Sequence, residues 1–130
     1  MEITGSCLCG SATYVISGGM SDIVHCHCAT CRKAHGSAFS SVASVPVSNF
    51  ALDHTKPLGS YESSPGKVRY FCSNCGTQLY AQREGQDRLV LRLGSIDSGV
   101  TSKEYAHIWL SEKAAWFELH SELEEYQDGL

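Results

Sequence analysis

The chain has 130 residues, which fits one ordinary core, so a single domain is expected over residues 1–130. Hydrophobic residues make up 42% and charged residues 18%, which excludes a disordered acidic tail and a coiled coil. A net charge of -4 excludes the basic footprint of a nucleic-acid binder, and no run approaches the ~18 apolar residues of a membrane helix.

Short runs rich in β-formers follow one another between Gly, Ser and Pro turns. The first strand is expected at Ser11–Ser17, stopped by Gly18 and Gly19, and a short helix from about Ala29 to His35. Further strands are expected at Ala38–Val47, Lys67–Phe71, Gln78–Gln82, Arg88–Leu93 and His107–Leu110. Leu89, Leu91 and Leu93 alternate with Arg88, Val90 and Arg92, which gives that strand one dry face and one mixed face. Ser121 and Glu124 have the spacing of a weak capping box near the C-terminus. The pattern is mostly β with one short helix.

Seven cysteines fall in three groups: Cys7 and Cys9, then Cys26, Cys28 and Cys31, then Cys72 and Cys75. An odd count cannot pair fully into disulfides, and residues 1–10 show no secretion signal, so reduced thiols in the cytoplasm are expected. Such close spacings suit a shared metal ion. Seven ligands divide as four plus three, and a closed structural zinc site takes four while a catalytic one keeps a position open. The two distant doublets then clip the first strand to a hairpin in the second half of the chain. Gly10 and Gly76, each directly after a doublet, supply the tight turns that such knuckles need. The triplet faces one ion across a strand entering a helical turn. In an extended segment His25 and His27 point away from Cys26 and Cys28. A structural Cys3His site completed by His25, His27, His35 or His54 stays open as an alternative.

The motifs Gly5-Ser-Cys-Leu-Cys-Gly10, Cys26-His-Cys-Ala-Thr-Cys-Arg-Lys33, Gly36-Ser-Ala-Phe39 and Phe71-Cys-Ser-Asn-Cys-Gly-Thr77, with His107-Ile108 and Trp116 beyond them, resemble the glutathione-dependent formaldehyde-activating (GFA) family, also called the CENP-V/GFA domain. The resemblance spans nearly the whole chain. It implies an Mss4-like fold of stacked antiparallel sheets. It also implies two zinc ions, one structural at Cys7, Cys9, Cys72 and Cys75 and one catalytic at Cys26, Cys28 and Cys31. The implied activity is carbon–sulfur bond formation or cleavage on a small thiol or thiol adduct, with glutathione or S-hydroxymethylglutathione as the family's substrate.

A zinc ion with one open position holds a coordinating thiol deprotonated at neutral pH, and that thiolate is a nucleophile toward an aldehyde. His27 or His35 is a candidate proton carrier, and Arg32 and Lys33, directly after the last ligand, are candidates to hold a substrate carboxylate. The sequence has no H-x-E with P-C-x-x-C, no H-E-x-x-H, no phosphate loop and no G-x-S-x-G elbow. A non-catalytic zinc module that binds a protein partner and a thiol redox sensor remain as readings of other classes.

Overall fold

The computed structural model describes residues 2–130. Strands β1 (Ile3–Ser6), β2 (Ala12–Ile16) and β3 (Ile23–Cys26) lead into helix α1 (Ala29–His35). Strands β4 (Ser40–Pro46), β5 (Phe50–His54), β6 (Leu58–Ser64), β7 (Lys67–Cys72), β8 (Gln78–Arg83) and β9 (Arg88–Arg92) follow. The chain closes with β10 (Ile96–Ser98), β11 (Glu104–Ile108) and the two-residue β12 (Glu124–Glu125). They form a small sheet in the order β10-β1-β2-β5 and a large one in the order β12-β11-β3-β4-β9-β8-β7-β6.

The two sheets close on one core. Along β2 burial alternates strictly, and Ala12, Tyr14 and Ile16 point inward. They meet Val45, Leu79, Leu89 and Leu91 of the large sheet. Full burial of each such aliphatic side chain contributes about 1.5–3 kcal/mol. Cys7 and Cys72 belong to the same cluster. The other face of β9 is not simply the wet one. Arg92 lies opposite Val42 across the β4–β9 pair, on the face away from Leu91, and is only 3% exposed.

Helix α1 has the expected limits. Cys28 caps its start, with Sγ accepting from the Cys31 N–H at 3.3 Å, and Gly36 ends it in the left-handed region at φ 61°. Two expectations need correction. The His107–Leu110 strand begins three residues earlier, at Glu104, and runs parallel to β3 and β12, so the large sheet is mixed rather than purely antiparallel. The Ser121–Glu124 capping box starts no helix: Ser121 Oγ accepts from the Leu123 N–H at 3.1 Å in a local turn, and the chain then enters β12.

Candidate metal centres and cavity

Two groups of cysteines converge, and the division is four and three. The ligand atoms of Cys7, Cys9, Cys72 and Cys75 all lie within 4.8 Å of one another, as do those of Cys26, Cys28 and Cys31. The first group joins the β1–β2 turn of the small sheet to the β7–β8 turn of the large one. Each turn is a knuckle: Gly10 N–H donates to Cys7 O at 3.0 Å with φ 80°, and Gly76 N–H to Cys72 O at 2.7 Å with φ 82°. Leu8 N–H donates to Thr77 Oγ1 at 2.9 Å and so ties one knuckle to the other.

The spacing fits a metal. A tetrahedron of sulfurs at ~2.3 Å from zinc has edges of about 3.8 Å. Cys7 and Cys9 Sγ are 3.7 Å apart and Cys9 and Cys72 Sγ 3.8 Å, far beyond a disulfide bond. Hydrogen bonding favours the thiolate at two of the four. The Ser11 hydroxyl, followed by Asn74, lowers the Cys9 thiol to about 7, and the Thr77 hydroxyl lowers Cys75 to about 5.

The triplet sits elsewhere, on the outer face of the large sheet. Cys26 lies at the end of β3 opposite Ser40 of β4, while α1 brings Cys28 and Cys31 over it. The Cys26 and Cys28 thiols hydrogen-bond Cys31 and hold it well below the usual thiol range, with Arg92 and Arg69 adding to the effect. Hydrogen bonds with Cys28 and then Cys31, together with burial, push the Cys26 thiol up. Arg69 Nη2 is 3.7 Å from Cys31 Sγ, and Arg69 is only 5% exposed. No histidine nitrogen or carboxylate joins the three thiols among the described residues.

Two cavities border this region. One of about 480 Å³ touches Cys26 and Cys31, with Val42, Val90 and Trp109 as apolar wall and Lys67 and Arg92 as its cations. The other, about 400 Å³, runs from the end of α1 to the Gly76–Gln78 segment and also meets Arg92.

The remaining expected residues fall as follows. His25 and His27 do project from the triplet's strand into a separate aromatic cluster with Phe39 and His107. His27 Nε2 lies 2.8 Å from His107 Nδ1, and burial, then His107, pushes the His27 imidazole down to about 4. His25 Nε2 bonds Glu104 at 2.6 Å. His54 bonds the carbonyl of Lys56. His35 is also lowered to about 4, by burial and then by Arg92. Arg32 Nε donates to Glu112 O at 3.1 Å, which pins α1 to the 3-10 turn Leu110–Glu112, and Lys33 is exposed. Neither lines the two cavities. Lys67, Arg69 and Arg92 are not marked by any sequence motif. The signal available in the sequence is basic residues on one face of each strand, Lys67 and Arg69 in β7 and Arg88 and Arg92 in β9.

The sequence model described as "Glutathione-dependent formaldehyde-activating enzyme" matches residues 2–112. The chain belongs to that family. Proteins of Aspergillus flavus and Aspergillus oryzae, each named "Putative glutathione-dependent formaldehyde-activating enzyme", are 30% identical over 86% of this chain and 54% of their own length. A protein of Schizosaccharomyces pombe named an uncharacterized lyase is 33% identical over 61% of this chain and 56% of its own. The chain thus spans about half the length of these curated GFA relatives. A crystal structure of a Rhodobacter sphaeroides protein superposes with a TM-score of 0.60 at 19% identity, covering 75% of this chain and 91% of that one. This last likeness is one of fold. No helix of this GFA-family chain is long and apolar enough to cross a membrane among the described residues.

Proposed function

We propose that this chain is a zinc-dependent enzyme of the carbon–sulfur lyase class that makes or breaks the adduct of a small thiol with an aldehyde, S-hydroxymethylglutathione being the family's example. Cys7, Cys9, Cys72 and Cys75 would hold a structural zinc, and Cys26, Cys28 and Cys31 a second one. The observation that carries this reading is the incomplete donor set beside a cavity. Three thiols converge with no fourth protein donor among the described residues, and two of them, Cys26 and Cys31, line the space of about 480 Å³. A protein-binding zinc module needs neither a missing donor nor a cavity.

A zinc bound there supplies a position at which a thiol is held as thiolate. The residues around it do the rest. Val42, Val90 and Trp109 give the cavity an apolar wall, and expulsion of water on substrate binding would strengthen every charge interaction inside. Arg69 and Arg92 offset the negative charge of the cysteine thiolates. In the forward step the substrate sulfur forms a bond to the carbonyl carbon while the C–O π pair moves onto oxygen. The proton given up by the thiol ends on that oxygen. The reverse step breaks the carbon–sulfur bond and returns the proton to sulfur. Arg32 and Lys33, beside the triplet in sequence but outside both cavity linings, remain candidates to meet a carboxylate of a bound substrate.

Cobalt in place of zinc makes the open position visible. Adding a small thiol is expected to change the thiolate-to-metal absorption bands and to release a proton, with affinity rising as pH rises. If no thiol perturbs the bands while a histidine substitution does, the fourth donor is protein and the enzyme reading fails. Disulfide formation within the triplet under mild oxidation, with loss of the ion, would favour the redox sensor instead.

A further inference from the structure

Seven buried side-chain atoms have no hydrogen-bond partner within the protein among the described residues, and five of them belong to residues lining the cavity of about 400 Å³. They are His35 Nε2 at the end of α1, Ser40 Oγ on β4, Gln78 Oε1 on β8, and Nε and Nη2 of Arg92 on β9. Buried polar atoms are nearly always paired, so this many around one space describe a surface built for something polar.

Arg92 sets the sign of the ligand. It is 3% exposed, and ion pairs among the described residues are confined to His25–Glu104 and His120–Glu118. Three cations, Lys67, Arg69 and Arg92, gather around three cysteines. With the cysteines as thiolates on a divalent ion, that neighbourhood carries a net +2. A substrate thiolate removes one of these charges and a carboxylate the other.

We infer that this cavity is the subsite for a carboxylate of the thiol substrate, anchored by Arg92 and oriented by Ser40, His35 and Gln78. The inference rests on the thiol-adduct reading and adds where the substrate's charged end lies. Ser40 is the cross-strand neighbour of Cys26, and Arg92 borders both this cavity and the one touching Cys26 and Cys31. A thiol with a carboxylate a few bonds away can therefore reach the triplet and Arg92 together. Gln78 Oε1 is an acceptor, so it suits an ammonium or hydroxyl next to the carboxylate.

The test compares 3-mercaptopropionate with 2-mercaptoethanol on the zinc-loaded protein by calorimetry. Wild type is expected to prefer the carboxylated thiol about tenfold, the worth of a charge-assisted hydrogen bond. Arg92→Met should erase that preference. Ser40→Ala should weaken 3-mercaptopropionate about threefold and leave 2-mercaptoethanol unchanged, which carries the test if R92M does not fold. Equal affinity for the two thiols in wild type would make the cavity a water site and overturn the inference. So would a preference that survives S40A and R92M, or one that Arg32→Met removes. Propionate separates the two claims. If it binds in an Arg92-dependent way while neither thiol binds more tightly than propionate, the subsite stands and the thiol reading falls. If the thiols bind and the carboxylate makes no difference, the thiol reading stands alone.

Discussion

Gly5 and Tyr14 show how single residues decide the packing beside the first knuckle. They face each other across the β1–β2 pair, and a Cβ at Gly5 would stand 2.1 Å from Tyr14 Cζ. The ring cannot move aside, because it is buried in the core and its hydroxyl bonds Ser95 Oγ at 2.7 Å. Gly5→Ala is therefore expected to destabilise by about 1–3 kcal/mol, or more where the strand pair must separate. Urea unfolding measures this, and an unchanged midpoint would contradict the packing. Tyr14 also carries a pH dependence. Burial pushes its phenol up to about 12, against an ordinary value near 10. The unfolded chain loses this proton first, so the contribution is fully present below pH ~10 and is lost as pH rises toward ~12. Melting temperature should fall across that window, and less steeply in Tyr14→Phe. An identical slope in both proteins would remove Tyr14 as the cause.

At the scale of elements, each cysteine group depends on the turn or helix that presents it, and the two groups should fail differently. The quadruplet is shared by turns from opposite sheets and two of its members lie in the core. Cys72→Ala should lower the melting temperature by about 10 °C or more, because structural metal binding is folding free energy. Cys28→Ala removes a cap and one donor from a surface helix and should leave a folded, inactive protein. Equal melting temperatures for wild type and C72A, or activity in zinc-depleted C28A, would break the assignment. Much of this was legible in the sequence. The limits of α1 followed from Cys28 and Gly36, and β2, β4, β7, β8 and β9 from alternation or unbroken β-formers. Strands β1, β3, β5, β6 and β10 carry no such mark in the sequence. Their Gly, Ser and His residues carry weak propensity and are held in register by partners distant in sequence. The same reason hid the cations of the site. Arg92 and Lys67 meet the triplet only because β9 pairs with β4 and β7, two strands beyond β9, reaches the same cavity, whereas Arg32 and Lys33 are near the triplet by sequence alone.

At the scale of the molecule, the two centres occupy unequal places. The quadruplet closes the seam between the sheets, with its doublets 63 positions apart between Cys9 and Cys72. The triplet comes from the single segment Cys26–Cys31 and opens on a cavity. A four-thiolate site offers a competing chelator no exchangeable position, while a three-thiolate site offers one. The loaded protein is therefore expected to hold two zinc ions of unequal affinity. A chelator in modest excess should strip the triplet first, with the far-ultraviolet spectrum and the unfolding transition retained. Removing the second ion should free the small sheet from the large one and abolish cooperative unfolding. Metal analysis after graded chelation, read against thermal unfolding, checks both steps. One ion per chain, or both lost together with the fold, would show that the triplet is as much a part of the scaffold as the quadruplet.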